Sequence, residues 1–197
     1  MSGTFPSSPV PLSLTVRSLQ PTQTSQSQSL KRQVRSRGSQ RWAFKLSFGQ
    51  CNRSEIAPLI AFAVAQRGQF GSFTFSPPVV GSRSAGAGSP VVRVSTASGR
   101  LVPVHGVGAG VLIAKAGDYV KFANGSKVYM LTADAVANSS GQASLSIEPA
   151  LYAGVSAGEA VILDNVPFTV AFAADQHETP IEALVFGWDC ELVEVLP

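Results

Sequence analysis

The sequence has few of the side chains that bind metals or carry acid–base chemistry. It contains two cysteines, Cys51 and Cys190, and two histidines. Two cysteines exclude a disulfide framework and a structural zinc site built from cysteine ligands. His177 is flanked by Asp175 and Glu178, but three near-adjacent side chains in one turn rarely converge on an ion, so a solvated turn is the preferred interpretation. The sequence therefore predicts neither a metal site nor a cofactor.

Long apolar runs and catalytic motifs are absent as well. No stretch approaches the roughly 18–20 uncharged apolar residues of a membrane helix, and the first residues have neither the basic nor the apolar region of a secretory signal. Phosphate-binding, nucleophile-elbow and zinc-protease motifs do not occur, and HGVGAGV at 105–111 has the spacing of a glycine-rich turn rather than of a dinucleotide-binding loop. We therefore expect no membrane insertion, no small-molecule substrate and no enzyme activity.

Charge is scarce and unevenly placed. Charged residues make up 14% of the chain against 45% apolar residues, so a core can form while the surface carries unusually little charge. Residues 1–54 contain eight Lys or Arg and no acid, whereas from Glu148 onward there are nine acids and no Lys or Arg. This asymmetry indicates either a basic arm for nucleic acid or a subunit whose opposite ends attract each other. A third interpretation is that the two ends are neighbours in one fold and neutralise each other across adjacent strands.

The two charged segments define a candidate assembly interface. The basic run 31–41 lacks interleaved aromatic residues for base stacking and lies near no helix-turn-helix or finger pattern, which disfavours specific nucleic-acid binding. We expect the basic side chains to face the acidic ones, either within one subunit or between neighbouring subunits. The candidate interface residues are Lys31, Arg32, Arg35, Arg37, Asp175, Glu178, Glu182, Asp189, Glu191 and Glu194.

Alternating apolar residues predict two long half-buried strands, one near 41–48 and one near 183–195. After the first of them, residues 53–67 predict a helix, with Asn52 and Glu55 at capping-box spacing and Gly68 as its left-handed stop. These elements predict a mainly β domain, a β-sandwich with one flanking α-helix. The apolar positions are Trp42, Phe44, Leu46 and Phe48 in the first strand, Ile56, Leu59, Ile60 and Ala63 in the helix, and Leu184, Phe186, Trp188, Cys190 and Leu192 in the last strand.

The middle of the chain has a different character. GSRSAGAGSP is a composition break that marks a domain boundary or a long turn. Beyond it come short β segments with turn signals, including Asn124-Gly125, which is typical of a hairpin. We expect this part to form an inserted small β-barrel-like domain, and the polar N-terminal segment to be ordered only where a partner covers it. The predicted division is residues 1–83 plus 166–197 for the main domain, including the polar N-terminal segment at 1–30, and residues 84–165 for the insertion.

Several segments together resemble tail proteins of tailed bacteriophages. A polar, Ser- and Arg-rich stretch leads into SQRWAFKLSF and then into SEIAPLIAFAVAQRGQFGSFTFSPP. An inserted β unit with AGDYVKF, KVYMLTAD and GQASLSIEPAL is followed by FTVAFAAD and a final aromatic strand. From about Ser29 to Leu196 the arrangement is similar to distal tail or tail-tip (baseplate) components, while the extended polar N-terminus departs from that pattern.

The resemblance implies a fold and a role. Proteins of this kind have a tail-tube-like β-sandwich with one flanking helix, and they assemble as rings, commonly hexamers, around the tail channel. The implied partners are further copies of the chain and other tail proteins, namely the tail tube, hub, tail-tip or fibre proteins. The implied location is the virion, after assembly in the bacterial cytoplasm. The expected function is therefore a structural ring that joins the tail tube to the baseplate or host-attachment apparatus, without an active site.

Two other functions stay open. One is a carbohydrate- or host-receptor-binding module in the inserted β unit, where Tyr119, Phe122, Tyr129 and Tyr152 would supply a stacking surface, although ordinary core packing also accounts for these residues. The other is a nucleic-acid-binding β protein that uses residues 31–41. Particle assembly, glycan binding and salt-dependent DNA binding distinguish the three functions.

Overall fold

The protein is mainly β and divides into two compact units. The computed structural model describes residues 3–78, 88–182 and 185–196, with the backbone alone at residues 181, 182 and 185. With 43% strand and 9% helix, it confirms the predicted fold class at that level. Unit 1 comprises Met1–Phe75 and Thr169–Leu196, and unit 2 comprises Ser76–Phe168. The predicted insertion, 84–165, falls within unit 2, whereas most of the composition break before it lies outside the described residues.

Unit 1 is built on one main β-sheet with a helix. The elements are β1 (Ser13–Leu19), β2 (Thr22–Gln26), β3 (Arg32–Ser36), β4 (Arg41–Cys51), α1 (Arg53–Ala65), a 3₁₀ turn (Gly68–Phe70), β5 (Phe73–Phe75), β14 (Phe168–Phe172), β15 (Ile181–Glu182) and β16 (Val185–Glu194). The strands of the main sheet run in the order β1–β4–β16–β14–β5, with β15 paired to one end of β16, and β2 and β3 form a separate two-stranded sheet. The described strands therefore form one main sheet where a two-sheet sandwich is expected.

The central pair of this sheet consists of the two strands that the sequence predicts. β4 and β16 are antiparallel, with Phe44 opposite Leu192 and Leu46 opposite Cys190. Because side chains alternate between the faces of a strand, seven of the nine predicted apolar positions in these two strands are buried in the core. Leu184 lies outside the described residues, and Phe186 is half-buried. The exposed fractions are 4% for Trp42, 1% for Phe44, 0% for Leu46, 3% for Phe48, 1% for Trp188, 6% for Cys190 and 0% for Leu192.

Helix α1 begins and ends where local chemistry requires. The Asn52 N–H donates to Glu55 Oε2 at 2.9 Å, which satisfies a free backbone donor at the helix start. The helix ends at Ala65, two residues before the predicted end, and Gly68 follows with a φ of +66°. A Cβ atom at Gly68 would lie 2.7 Å from Asp175 Oδ1, so both the backbone conformation and the space require glycine. Of the predicted apolar stripe, Ile56, Leu59 and Ala63 are buried and Ile60 is half-buried.

The extreme N-terminus takes part in the core of unit 1. The Phe5 N–H donates to Thr74 O at 2.8 Å, and the Thr74 N–H donates to Gly3 O at 3.0 Å, so this segment runs beside β5. The Phe5 ring is 8% exposed and packs against Phe73 at 5.9 Å between ring centroids. The expectation that residues 1–30 need a partner for order is therefore wrong for this segment, because a single aromatic side chain anchors it to the chain's own core.

Unit 2 is a small, nearly closed β-barrel-like sheet. The elements are β6 (Val91–Val92), β7 (Leu101–His105), β8 (Leu112–Ala114), β9 (Tyr119–Phe122), β10 (Val128–Leu131), β11 (Ala135–Val136), β12 (Gln142–Glu148) and β13 (Val161–Ile162). The main strands run in the order β13–β9–β10–β12–β7–β6, and a bridge between Val91 and Ala160 brings the first and last strands together. Asn124-Gly125 lies between β9 and β10, as the hairpin signal predicts.

Candidate functional site: a basic hairpin arm

The strands β2 and β3 form a hairpin that continues the β1–β4 pair beyond the sheet. The β1–β4 ladder ends with Leu19 opposite Arg41, and the β2–β3 ladder begins with Thr22 opposite Ser36. The Arg37 N–H donates to Pro21 O at 3.2 Å between the two ladders, so the hairpin bonding continues across the break. We call residues 20–39 the arm.

No side chain of the arm is buried. Every residue from 20 to 39 is exposed, including Leu30 at 76% and Val34 at 51%. Across the arm, Gln23 lies opposite Arg35 and Gln26 lies opposite Arg32, so these cross-strand pairs are polar and contribute little apolar contact. An isolated two-stranded hairpin is marginally stable in water at best. The arm therefore gains little stabilisation from the chain to which it belongs.

The four predicted basic interface residues all lie on this arm. Lys31 is at the tip, Arg32 and Arg35 are in β3, and Arg37 follows that strand. In the described part of the chain none of the four forms an ion pair. They place four positive charges and no acid on a solvent-exposed hairpin.

Charge neutralisation within the chain occurs at the base of the hairpin instead. Arg17 Nη2 lies 3.5 Å from Glu191 Oε1, with both side chains about half-exposed. Glu191 is also the cross-strand neighbour of Lys45. The interpretation that the basic start and the acidic end are neighbours across adjacent strands is therefore correct for Lys45 and Glu191, whereas Arg17 reaches Glu191 from β1, on the far side of β4. An exposed pair of this kind contributes only about 0–1 kcal/mol to stability.

The predicted acidic residues occupy different environments. Glu194 is 1% exposed, and its Oε2 accepts the Trp42 N–H at 3.1 Å. It therefore stabilises the interior of unit 1 and is not available at the surface. Asp175 Oδ1 accepts the Gln69 N–H at 3.0 Å and holds the turn after α1. Glu178 is exposed and accepts a hydrogen bond from Gln176 at 3.2 Å, and Asp189 is exposed on β16. The side chain of Glu182 lies outside the described residues.

An exposed apolar face on α1 is a feature that the sequence analysis misses. Ala57, Ala61 and Val64 lie at helical spacing on the side of α1 that faces solvent, and Val64 is 68% exposed. Phe70, in the 3₁₀ turn just beyond, is 85% exposed. A helix that is apolar on both faces is typical of one that is covered on both sides. The signal in the sequence is the run AFAVA, which lacks any polar position.

Burial shifts the pKa values of two side chains in unit 1, Cys190 and His177. Burial, with the adjacent charges of Asp189 and Glu191, raises the pKa of the Cys190 thiol to about 12. Desolvation lowers the pKa of His177, whose ring lies 4.4 Å from Phe172 between centroids and whose Nε2 is buried. The turn around His177 is exposed at Asp175, Gln176 and Glu178, as a solvated turn requires, whereas the His177 imidazole ring itself is half-buried.

The arrangement brings together charge and exposed apolar surface rather than reactive groups. No cluster of three or more His, Cys, Asp or Glu side chains suited to a metal ion occurs in the described ranges. Among the same residues, no helix is both long enough and apolar enough to span a membrane. Neither a protein-family model nor a curated protein matches the chain.

Proposed function

We propose that the chain is a structural subunit of a phage tail, a distal-tail or tail-tip ring protein that assembles with copies of itself. The observation that carries this proposal is the arm, which is exposed along its whole length and carries four basic residues without a partner acid in the described chain. Ordering a backbone costs about 1–2 kcal/mol per residue. The arm becomes strongly stabilised only when another surface covers it.

A second copy of the chain offers a complementary surface. Glu178 and Asp189 are exposed acids in the C-terminal part, while the arm has no acid at all. The apolar outer face of α1 and the Phe70 side chain give that second copy an uncovered apolar area as well. Contacts between the arm of one copy and a different surface of the next copy are heterologous. Such contacts generate a closed ring when the rotation from each copy to the next brings the last copy back to the first.

The more specific assignment to a phage tail is supported by three features taken together. The chain resembles distal tail and tail-tip components in its segments, it is mainly β with one helix, and a barrel-like β unit interrupts its main domain. Its low content of charged residues suits surfaces that are covered by other subunits. In this function the ring would join the tail tube to the baseplate or host-attachment apparatus, in contact with tube, hub, tail-tip or fibre proteins.

Light scattering after size exclusion, followed by electron microscopy, tests the assembly. We expect the full chain to form rings of one size, and the Arg32→Glu/Arg35→Glu variant to stay folded but form few rings. The matched control, Arg93→Glu/Lys115→Glu, changes the net charge equally at two exposed positions of unit 2. The difference between the two variants should be larger at low salt, where screening is weak.

Two outcomes would contradict the proposal. One is a monomeric full chain at every protein concentration tested, and the other is normal ring formation by the arm variant at low salt. If the arm binds nucleic acid instead, DNA affinity should fall with a log–log salt slope of roughly −3 to −4 for four phosphate contacts. Such a slope in the absence of rings would favour the nucleic-acid function.

A further inference from the structure

Unit 1 contains a pocket beside the end of β4 that lies away from the arm. The pocket has a volume of about 690 Å³, within the range of roughly 300–1,000 Å³ of sites that hold drug-sized ligands. It therefore has room for two or three side chains of a partner. The lining residues used below are Ser47, Phe48, Glu178, Pro180, Gly187 and Asp189.

Two exposed carboxylates line this pocket, and neither forms an ion pair within the described part of the chain. Asp189 lies opposite Ser47, on the face of the sheet that points away from the buried Trp188 side chain. Glu178 accepts a hydrogen bond at Oε1 from Gln176 at 3.2 Å, so its second oxygen can still accept one. Among the described residues, no Lys or Arg lines the pocket, which therefore carries uncompensated negative charge.

The pocket wall is fixed by the pairing of β15 with β16. The Gly187 N–H donates to Pro180 O at 3.2 Å, and Ile181 lies opposite Phe186 just beyond. Pro180 is exposed, so it contributes an apolar side to a pocket whose charged groups are acids. A wall that is formed before a partner arrives lowers the entropic cost of binding.

The tip of the arm has the opposite charge beside an apolar side chain. The Ser27 N–H donates to Lys31 O at 3.1 Å, which closes the turn of the hairpin. Within that turn, Leu30 is 76% exposed and has a φ of +64°, a left-handed conformation that is uncommon for a residue other than glycine. Lys31 and Arg32 follow it directly. The tip therefore presents an apolar side chain next to two positive charges.

The tip and the pocket of one chain lie at opposite ends of unit 1. The arm leaves β4 at Arg41, whereas Phe48 lies seven residues further along that strand, or about 23 Å at the rise of a β-strand. The hairpin bonding continues past Arg41 away from the sheet, and every residue of the arm is exposed, so the arm does not fold back over unit 1. A tip therefore meets a pocket only between two copies of the chain.

We propose that the pocket of one copy receives the arm tip of the next copy. The two basic side chains of the tip meet the two carboxylates of the pocket, and Leu30 lies against Pro180. Hydrogen bonds between oppositely charged groups are about twice as strong as those between neutral groups. This docking rests on the proposed function, because it occurs only in an assembly, and it specifies which two surfaces meet. A contact between different ends of successive copies is heterologous, as a ring requires.

A charge swap within the full chain tests the docking, with ring formation measured by light scattering after size exclusion. The tip reversal is Lys31→Glu/Arg32→Glu, and the pocket reversal is Glu178→Lys/Asp189→Lys. Either reversal alone should lower the fraction of chain in rings roughly tenfold, because every interface then pairs like charges. The chain with both reversals has the net charge of the parent chain and should form rings to within about twofold of it, since attraction returns with exchanged signs.

The matched control reverses charges on the same arm but behind the tip. Arg35→Glu/Arg37→Glu changes the net charge of the chain as much as the tip reversal does. When this control is combined with the pocket reversal, a basic tip still meets a basic pocket, so ring formation should not return. Physiological salt is the right condition, because screening then acts over about 8 Å and separates the two positions on the arm. Circular dichroism establishes that each variant is folded.

Cross-linking with a carbodiimide locates the contact without any substitution, because this reagent joins a lysine ammonium group directly to a carboxylate. In rings assembled from isotope-labelled and unlabelled chains, we expect mass spectrometry to find Lys31 joined to Glu178 or Asp189 of a differently labelled copy.

Four results would overturn the docking. They are normal ring formation by the pocket reversal, a double reversal as deficient as either single reversal, equal restoration of the control by the pocket reversal, and rings in which Lys31 is never joined to either acid. Each of these results leaves the assembly proposal standing, because the parent chain still forms rings. A parent chain that stays monomeric would overturn both proposals.

Discussion

Replacing Trp188 by Ala is the most direct test of the core of unit 1. The side chain is 1% exposed, and its ring lies 5.5 Å from Phe48 and 6.2 Å from Phe172 between centroids. Truncation therefore removes buried apolar surface and leaves a cavity among aromatic rings that cannot easily collapse. Substitutions of this kind cost about 3–5 kcal/mol, a large fraction of the roughly 5–15 kcal/mol by which a domain is stable.

Trp188→Phe separates packing from hydrogen bonding at the same position. The Trp188 Nε1–H is buried and has no acceptor among the described residues. Phe keeps most of the ring contacts and removes a desolvated donor, so we expect a loss of only about 1 kcal/mol. The difference between the two substitutions should then be roughly 2–4 kcal/mol.

Urea unfolding followed by tryptophan fluorescence measures these changes in unit 1 alone. The chain has two tryptophans, Trp42 and Trp188, and both belong to unit 1, so Trp42 still reports in each variant. Val10→Ala is the matched control, because this apolar residue of the same unit is 72% exposed and lies outside the proposed assembly surface, so its truncation should change stability by less than about 0.5 kcal/mol. All variants need the same protein concentration, since assembly adds to apparent stability. A loss below about 1 kcal/mol for Trp188→Ala would refute the assigned faces of β16.

Further predictions concern thiol reactivity, pH and domain structure. Because its pKa is about 12, Cys190 should react with a thiol reagent at pH 8 much more slowly than half-buried Cys51, and equal rates in the folded chain would be inconsistent with its burial. The pKa of His177 in the folded chain lies below its ordinary value of 6.5. The free energy of unfolding should therefore be unaffected by this group above pH 6.5 and should decrease as the pH falls from 6.5 toward the folded-state pKa, because the unfolded chain binds the proton more readily. His177→Gln should flatten this decline, and an unchanged pH profile would assign it to other groups. Removing residues 84–165 with a short linker should leave unit 1 folded, because β5 and β14 are neighbouring strands. A soluble but unfolded product would show that unit 1 depends on the insertion.

The elements that the sequence predicts correctly are those with a local physical signature. The alternation in β4 identifies its core face because each step along a strand reverses the side chain. The capping pair at Asn52 and Glu55 places the start of α1 to within a residue, since it satisfies backbone donors that the helix leaves free. Asn124-Gly125 marks a hairpin because both residues tolerate a tight turn.

The features that the sequence leaves open depend on contacts between distant residues. The polar run before Lys31 is compatible with either an exposed loop or a solvated strand, and only its pairing with β3 decides in favour of β2. Phe5 gives no periodic signal, so its place in the core follows from its contact with Phe73, far along the chain. A pocket in unit 2 is lined by residues from the segments around Asn124 and Tyr152. These segments are separated in the sequence, and no sequence pattern predicts that they come together.

The pairing of β4 with β16 also determines the order in which the protein can form during synthesis. β4 is complete at Cys51, but the strand that covers one of its edges begins only at Val185, near the end of the chain. At translation rates of roughly 5–20 residues per second, the interval is on the order of ten seconds. All strands of unit 2 are synthesised within this interval. The inserted unit can therefore fold while one edge of β4 is still unpaired. Closing such a distant pair is slow, and an unpaired strand edge with exposed apolar side chains is prone to aggregation until that pair forms.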